Sequence, residues 1–173
     1  MGSMQAGRGT GWPWLAAALL LALPGAATAR EALGVFESWG AFSDPRPRRC
    51  FAIAEPDRRG GTGTEGWRPF ASVATWPGRG YRAQLNIRLR RTKLLGAPVL
   101  LTIGTLREYL VACGADAWAR DAQADARIVA AIRQGTEMTV ATRDRDDRPL
   151  IDSYPLRGAA TAIDAAALAC ARG

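Results

Sequence analysis

The sequence predicts a mainly β protein, an antiparallel two-sheet β-sandwich of about eight short strands with two short helices. Short segments alternate between apolar and polar residues, and turn residues separate them. Helical spacing of apolar residues occurs at only two places, about 121–134 and 162–171. Strands and helices therefore do not alternate regularly, as a doubly wound parallel sheet would require.

The N-terminus predicts export. Arg8 gives a basic start, residues 12–23 form an apolar run, and Ala27 and Ala29 occupy the small-residue positions that a signal peptidase recognises. That run is shorter than the roughly 20 apolar residues of a membrane-spanning helix. We expect residues 1–29 to be a signal peptide cleaved after Ala29. Residues 30–173 would then form one domain, periplasmic or secreted, with no transmembrane span.

Composition excludes several kinds of site. The chain has no histidine, which removes Ser-His-acid and Cys-His catalysis as well as imidazole metal ligands. Lysine and arginine number 23 against 16 acidic residues, a net charge of +7, and Lys93 is the only lysine. We expect no catalytic residue, no cofactor and no metal. Export and the lack of a basic-aromatic module argue against nucleic acid.

The first half of the domain predicts strands joined by turns. A Pro-rich turn (residues 44–49) and a Pro-Gly turn at Pro77-Gly78 are the clearest breaks. Residues 57–66 are a glycine-rich loop without the Gly-Lys-Ser/Thr ending of a phosphate-binding loop. The predicted strands are residues 33–43, 50–56 and 68–76.

Residues 81–91 alternate most regularly. Leu85, Ile87 and Leu89 point one way, towards a core, and the polar residues between them point to solvent. Arg82, Arg88 and Arg90 are therefore a candidate anion-binding face. The alternative is a basic face that is merely solvated.

Two hairpins follow. Gly104-Thr105 splits residues 97–113 into two apolar runs, as a two-residue hairpin loop does. Residues 135–156 repeat this plan around a polar turn. Its aspartates, at 144, 146 and 147, alternate with arginines and lack the calcium-loop spacing, so we interpret them as a turn.

The segment 113–135 brings a thiol and three carboxylates together, and we interpret it as the start of a helix. Asp121 is a good N-cap, Asp125 lies in the first turn, and Gly135 ends the pattern. A catalytic Cys113 would need a neighbouring base or cation, and Asp116 would oppose the thiolate. In the second helix, Asp164 is the expected cap.

The cysteines predict one disulfide and one remaining thiol, since an oxidising compartment favours pairing. Three pairings are open to Cys50, Cys113 and Cys170. We favour Cys50–Cys170, which joins an early strand to the last helix. Cys113 would then be a free thiol buried in its strand.

Three segments carry a resemblance to a known family. They are "ESWGAFSDPRPRRCFAIAEP", "GADAWARDAQADARIVAAIRQGTEMTV" and "DSYPLRGAATAIDAAALAC". In this order and spacing, over residues 33–172, the chain resembles the invasion-associated locus B proteins, small exported bacterial proteins. The resemblance implies a periplasmic or secreted β-rich domain and supplies no catalytic residues. A bulky apolar residue would be expected after Gly158, where this chain has Ala159-Ala160.

These observations favour an exported, non-enzymatic protein that binds an envelope or host-surface component, with anionic components as the first candidates. One alternative is a carrier of a small molecule or lipid, with an apolar cavity between the sheets. The other is a redox protein that uses Cys113. Exposure of the thiol would favour the latter.

Overall fold

The computed structural model describes residues 1–3, 29–57 and 67–171. Most of the predicted signal peptide and of the glycine-rich loop lies outside these residues. The two helices are α1 (Ala122–Gln134) and α2 (Ala159–Ala171), and Pro77–Arg79 form a single 3-10 turn. The strands are β1 (Glu31–Phe36), β2 (Trp39–Pro45), β3 (Arg48–Ala54), β4 (Phe70–Trp76), β5 (Tyr81–Arg88), β6 (Val99–Ile103), β7 (Leu106–Cys113), β8 (Asp116–Trp118), β9 (Glu137–Arg143) and β10 (Pro149–Pro155).

The strands form one antiparallel sheet, in the order β1-β2-β3-β4-β5-β8-β7-β6-β9-β10. The mainly β prediction is confirmed, but the predicted two-sheet sandwich is wrong. The short strand β8 pairs with both β5 and β7 and joins the two halves of the sheet. The sheet curves so that β10 approaches β2 and the segment after β3: the Asp57 amide donates to the Ser153 carbonyl (2.7 Å), and Trp39 Nε1 donates to the Pro155 carbonyl (2.8 Å).

The core fills the concave side of this sheet. Trp39, Tyr154 and Leu85 are among its largest fully buried side chains. The helix α1 packs on β5, β6 and β7, whereas α2 packs on β1 to β4. Within α2, the buried small residues recur at helical spacing, so the helix lies close to the strands. This places the C-terminal end of α2 beside β3 and β4.

The predicted strand 33–43 is in fact a tight hairpin. Glu37 and Ser38 form its turn, and Phe36 pairs with Trp39. Glu37 has a φ of 55°. Glu-Ser carries none of the usual signals for a two-residue hairpin loop. The alternation of apolar residues also continues through the turn, which is why the pattern predicted one strand.

The other turns and helices follow the prediction closely. The β6–β7 hairpin closes at Gly104-Thr105 and the β9–β10 hairpin at residues 144–148. In α1, the Asp121 carboxylate accepts from the Ala124 amide at 2.7 Å, so this N-cap is confirmed. The second helix begins earlier than predicted, at Ala159. Asp164 therefore lies inside α2 and pairs with Arg133 instead of capping the helix.

Cys50 and Cys170 form the predicted disulfide, with their Cα atoms 5.7 Å apart and the two positions 120 apart in sequence. Both cysteines are buried between β3 and the last turn of α2. The bond therefore ties the C-terminal helix to the first half of the sheet.

Candidate functional site

The three arginines of the predicted anion-binding face do not share one exposed surface. Arg82 is exposed, whereas Arg88 is half-buried and donates to Asp116 at 2.6 Å. Arg90 is 2% exposed and pairs with the buried Asp152 of β10. The strand ends at Arg88, so Arg90 no longer follows its alternation and turns inward. The geometry removes Arg90 from the predicted face.

The buried pair sits beside Tyr154 inside the curved sheet. Burial raises the pKa of Asp152, although the hydrogen bond from Arg90 opposes this shift. Burial also raises the pKa of Tyr154 well above its usual value. The Tyr154 hydroxyl has no hydrogen-bond partner among the described residues. The cluster is shielded from solvent, and the Arg90–Asp152 pair links the segment that follows β5 to β10.

The carboxylates of the segment 113–135 each have a structural partner. Asp116 accepts from Arg88, Asp121 caps α1, and Asp125 accepts from the Leu85 amide of β5 at 2.7 Å. Among the residues that the structure describes, no group of three His, Cys, Asp or Glu side chains could hold a metal ion.

Cys113 is exposed, so the prediction of a buried thiol is wrong. It is the last residue of β7, on the convex side of the sheet, where the strand gives way to the Gly114 turn. An open groove of about 560 Å³ beside it is also lined by Lys93 and Arg145. The Lys93 ammonium donates to the Leu94 carbonyl, at 2.8 Å, rather than to the thiol.

A denser group of charges lies at another place, the end of the sheet that contains the β2–β3 and β4–β5 turns. The antiparallel register brings these turns together, because Cys50 pairs with both Ser43 and Thr75. The carboxylates on the strand segments that form this end are Glu31 and Asp44. We call this end the basic pole and define it by its arginines: Arg30, Arg46, Arg48, Arg49, Arg79 and Arg82.

Aromatic rings hold several of these guanidinium groups in place. The Cζ atom of Arg49 lies 4.2 Å from the centroid of the Phe51 ring and 5.0 Å from that of the Trp76 ring. The Cζ atom of Arg79 lies 5.1 Å from the Trp76 ring centroid. Arg30 lies 5.0 Å from the Phe51 ring centroid. The N–H groups of a guanidinium lie in its own plane, so a guanidinium whose face is stacked on a ring keeps its edge free to bind an oxyanion in a bidentate manner.

The arginines of the basic pole differ in how far they are neutralised. Arg30 and Arg49 both donate to Asp44, whose pKa is lowered chiefly by the hydrogen bond from Arg30. Arg48 donates to the Ala169 carbonyl at the end of α2 (3.2 Å). In the described part of the chain, Arg46, Arg79 and Arg82 have no carboxylate partner. Among the described residues of this end, positive charge therefore exceeds negative charge.

A groove of about 450 Å³ opens beside these arginines, between the β4–β5 turn and the last turn of α2. Its lining combines Pro77, Tyr81 and Arg82 with Cys170 and the small residues Ala167 and Ala171 of α2. Tyr81 is 51% exposed. The groove is thus partly apolar and has a cation at its rim.

Sequence reasoning identified Arg82 but missed the rest of the basic pole. The two turns fall where the prediction placed them, within residues 44–49 and at Pro77-Gly78, and nothing local distinguishes the arginines in and beside them from ordinary turn or strand residues. The signal was present in "RPRR" and "WPGRGYR". Only the pairing of β2, β3 and β4 shows that the two segments lie side by side.

The fold and this surface define a class of protein: a mainly β domain with one curved ten-stranded antiparallel sheet, two helices and a disulfide among the described residues. A search of solved structures finds the same fold in the crystal structure of invasion associated protein B from Bartonella henselae. The TM-score is 0.57 and the identity 15%, and the match covers 83% of this chain and 99% of that one. The likeness supports the predicted resemblance at the level of the fold alone. No family model and no curated protein matches the sequence.

Proposed function

We propose that this chain is an exported, non-enzymatic binding protein that holds an anionic partner at the basic pole. The observation that carries the proposal is the set of arginines that have no carboxylate partner among the described residues, beside guanidinium groups stacked on Phe51 and Trp76. Fixed guanidinium groups favour carboxylate, phosphate and sulfate ligands.

Two features support the export part of the proposal. The N-terminal sequence has the basic start, the apolar run and the small residues of a signal peptide. Disulfides such as Cys50–Cys170 persist in oxidising compartments and are rare in the cytosol. N-terminal sequencing of the protein recovered from the envelope or medium should begin at Arg30. A chain that retains Met1 in the cytoplasm would contradict this part.

The surroundings of the candidate catalytic groups favour a binding role over catalysis. Asp116, Asp121 and Asp125 have structural partners, and the Arg90–Asp152 pair is shielded from solvent. Cys113 is exposed in a groove that the cations Lys93 and Arg145 also line, and this arrangement favours the thiol-dependent alternative. Against that alternative, the described groove residues include no general base, and the Lys93 ammonium donates to the Leu94 carbonyl.

Heparin, a sulfated polysaccharide, provides a soluble probe of anion binding. The Arg79→Glu/Arg82→Glu variant should elute from a heparin column at a markedly lower salt concentration than the unmodified chain, because ion pairing with polyanions depends steeply on salt. The Arg107→Glu/Arg145→Glu variant is the matched control, since both side chains are exposed and lie on β7 and the β9–β10 turn. Equal elution of the two variants would show that net charge, and not the basic pole, governs binding.

A further inference from the structure

We propose that the anionic partner is the surface of a lipid bilayer, and that the basic pole docks on it with the β4–β5 turn and the end of α2 facing the headgroups. The inference rests on the proposed function, because it names the partner class of the same surface. Three features of the described residues carry it: an apolar tip, a rim of cations and the groove between them.

The apolar tip is formed by the β4–β5 turn and the last turns of α2, which meet at the groove; Leu168 lies on the exposed side of α2, outside the groove lining. Tyr81 is 51% exposed on the β4–β5 turn, and Pro77 next to it is also exposed. Leu168, in the last turns of α2, is 54% exposed, and Ala167 and Ala171 line the groove that Tyr81 also lines. An aromatic ring with a polar tip is suited to the headgroup region of a membrane, where one end is apolar and the other wet.

One cation, Arg82, lines the groove at this tip, and two others lie near it along the chain or on the adjacent turn. Arg79 and Arg82 flank Tyr81 along the chain, and Arg46 lies on the adjacent β2–β3 turn. None of the three has a carboxylate partner in the described part of the chain, so their charge is available to lipid phosphates. Basic residues near an anionic leaflet strengthen membrane attachment, and apolar side chains among them add to it.

A bilayer explains both halves of this surface. A soluble polyanion would use the arginines but would gain nothing from Leu168, Pro77 or the apolar wall of the groove. Headgroups offer phosphate oxygens to guanidinium groups, and the layer just below them accommodates small apolar side chains. Charge complementarity and exposed apolar area thus point to the same occupant.

Vesicle co-sedimentation tests the inference with the full chain. The probes are vesicles of phosphatidylglycerol and phosphatidylcholine in equal amounts, and vesicles of phosphatidylcholine alone. The first residues contain an apolar run that can bind lipid by itself. All variants share that run, so its contribution cancels when variants are compared on the same vesicles.

Two double variants and two matched controls separate the features. Arg79→Glu/Arg82→Glu removes rim cations, with Arg107→Glu/Arg145→Glu as its control. Tyr81→Ser/Leu168→Ser removes the apolar tip, with Tyr109→Ser/Leu95→Ser as its control, since Tyr109 and Leu95 are 66% and 96% exposed elsewhere. Each test variant should weaken binding to anionic vesicles by about tenfold or more. The controls should bind as the unmodified chain does.

The heparin column distinguishes the failure of this inference from the failure of the proposed function. If heparin binding depends on Arg79 and Arg82 but vesicle binding shows no preference for anionic lipid, the bilayer is not the partner and the anion-binding function stands. The same holds if the Tyr81→Ser/Leu168→Ser variant binds anionic vesicles normally. If the Arg79→Glu/Arg82→Glu variant binds both heparin and anionic vesicles as well as the unmodified chain does, both proposals are overturned.

Discussion

At the scale of single residues, Asp44 controls how much charge the basic pole presents. Its carboxylate accepts from Arg30 at 2.7 Å and from Arg49 at 2.6 Å. Both arginines are therefore partly neutralised, although their guanidinium groups also stack on Phe51. The residue thus opposes anion binding while it holds the two arginines in position.

Replacing Asp44 should strengthen anion binding. We expect Asp44→Asn to bind heparin about fivefold more tightly, since about 1 kcal/mol accompanies each added basic charge near a polyanionic surface. The salt concentration at which the variant elutes from a heparin column measures this change, and it should rise. Glu31→Gln is the control, because it removes one exposed negative charge at the same end without freeing an arginine. Weaker binding by Asp44→Asn would instead show that the carboxylate is needed to orient Arg30 and Arg49.

Asp125 completes the hydrogen bonding of β5 where the sheet leaves a donor unpaired. The strand β8 pairs with β5 only from Asn86 onwards, so the buried Leu85 amide donates to the Asp125 carboxylate instead. Asp125→Ala should lower the free energy of unfolding by about 1–3 kcal/mol, because it leaves that donor without a partner. Urea denaturation measures the loss. Asp125→Asn keeps an acceptor and should lose less.

The raised pKa of Asp125 leads us to expect that the free energy of unfolding depends on pH. Burial raises the pKa of Asp125 above its ordinary value of 3.8, against the hydrogen bond from Leu85. Above 3.8 the unfolded chain gives up this proton while the folded chain keeps it, so stability falls as the pH rises through the raised pKa. The stability of the unmodified chain relative to Asp125→Asn should therefore decrease between about pH 3 and neutral pH. An increase over this range would contradict the assigned direction.

At the scale of elements, local patterns predicted most strands and both helices but not their partners. Leu85, Ile87 and Leu89 are all fully buried, as the alternation of β5 predicted. Arg90 follows them and is also buried, because Asp152 meets it from a strand 62 residues away. No local pattern reports such a partner. The β1–β2 turn was missed for the opposite reason, since alternation continues through it.

Gly158 shows how one element constrains another. It joins β10 to α2 with a φ of 85°, and a Cβ atom there would lie 1.9 Å from the Phe36 carbonyl oxygen of β1. Gly158→Ala combines a left-handed backbone with a clash against the main chain. We expect a loss of about 2–5 kcal/mol in the free energy of unfolding.

Gly104→Ala is the matched control for this substitution. Gly104 also has a positive φ, of 54°, but a Cβ atom added there would meet nothing within 4 Å. Only the strain of the left-handed backbone applies here, so the free energy of unfolding should fall by about 1–2 kcal/mol. Thermal or urea unfolding of the two variants compares them directly. Equal losses would mean that the β10–α2 connection moves freely away from β1.

At the scale of the whole molecule, long-range pairing determines both the sheet and the basic pole. The alternation of apolar and polar residues shows that each strand has one face towards solvent. A two-sheet sandwich and a single curved sheet both meet this condition. The short strand β8 decides between them by joining β5 to β7. In the same way, residues 30–49 and 76–82 form one charged surface only because β2, β3 and β4 are neighbours.

The disulfide links this surface to the stability of the whole chain. Cys170 lines the groove of the basic pole, and its bond to Cys50 fixes the end of α2 against β3. Closing a loop of 120 residues restricts the unfolded chain. On the chain-entropy account, Cys50→Ala/Cys170→Ala should lower the free energy of unfolding by about 4–5 kcal/mol at most. Cys113→Ser, at the exposed thiol, should leave it nearly unchanged.

Reductant adds a functional readout to the same prediction. If the bond holds α2 in place beside the β4–β5 turn, reduction should weaken binding to anionic vesicles more than binding to heparin. The reason is that Leu168 and the wall of the groove belong to α2, whereas Arg79 and Arg82 belong to the turn. Equal weakening of both would show that reduction unfolds the sheet as a whole, and unchanged vesicle binding would show that α2 keeps its position without the bond.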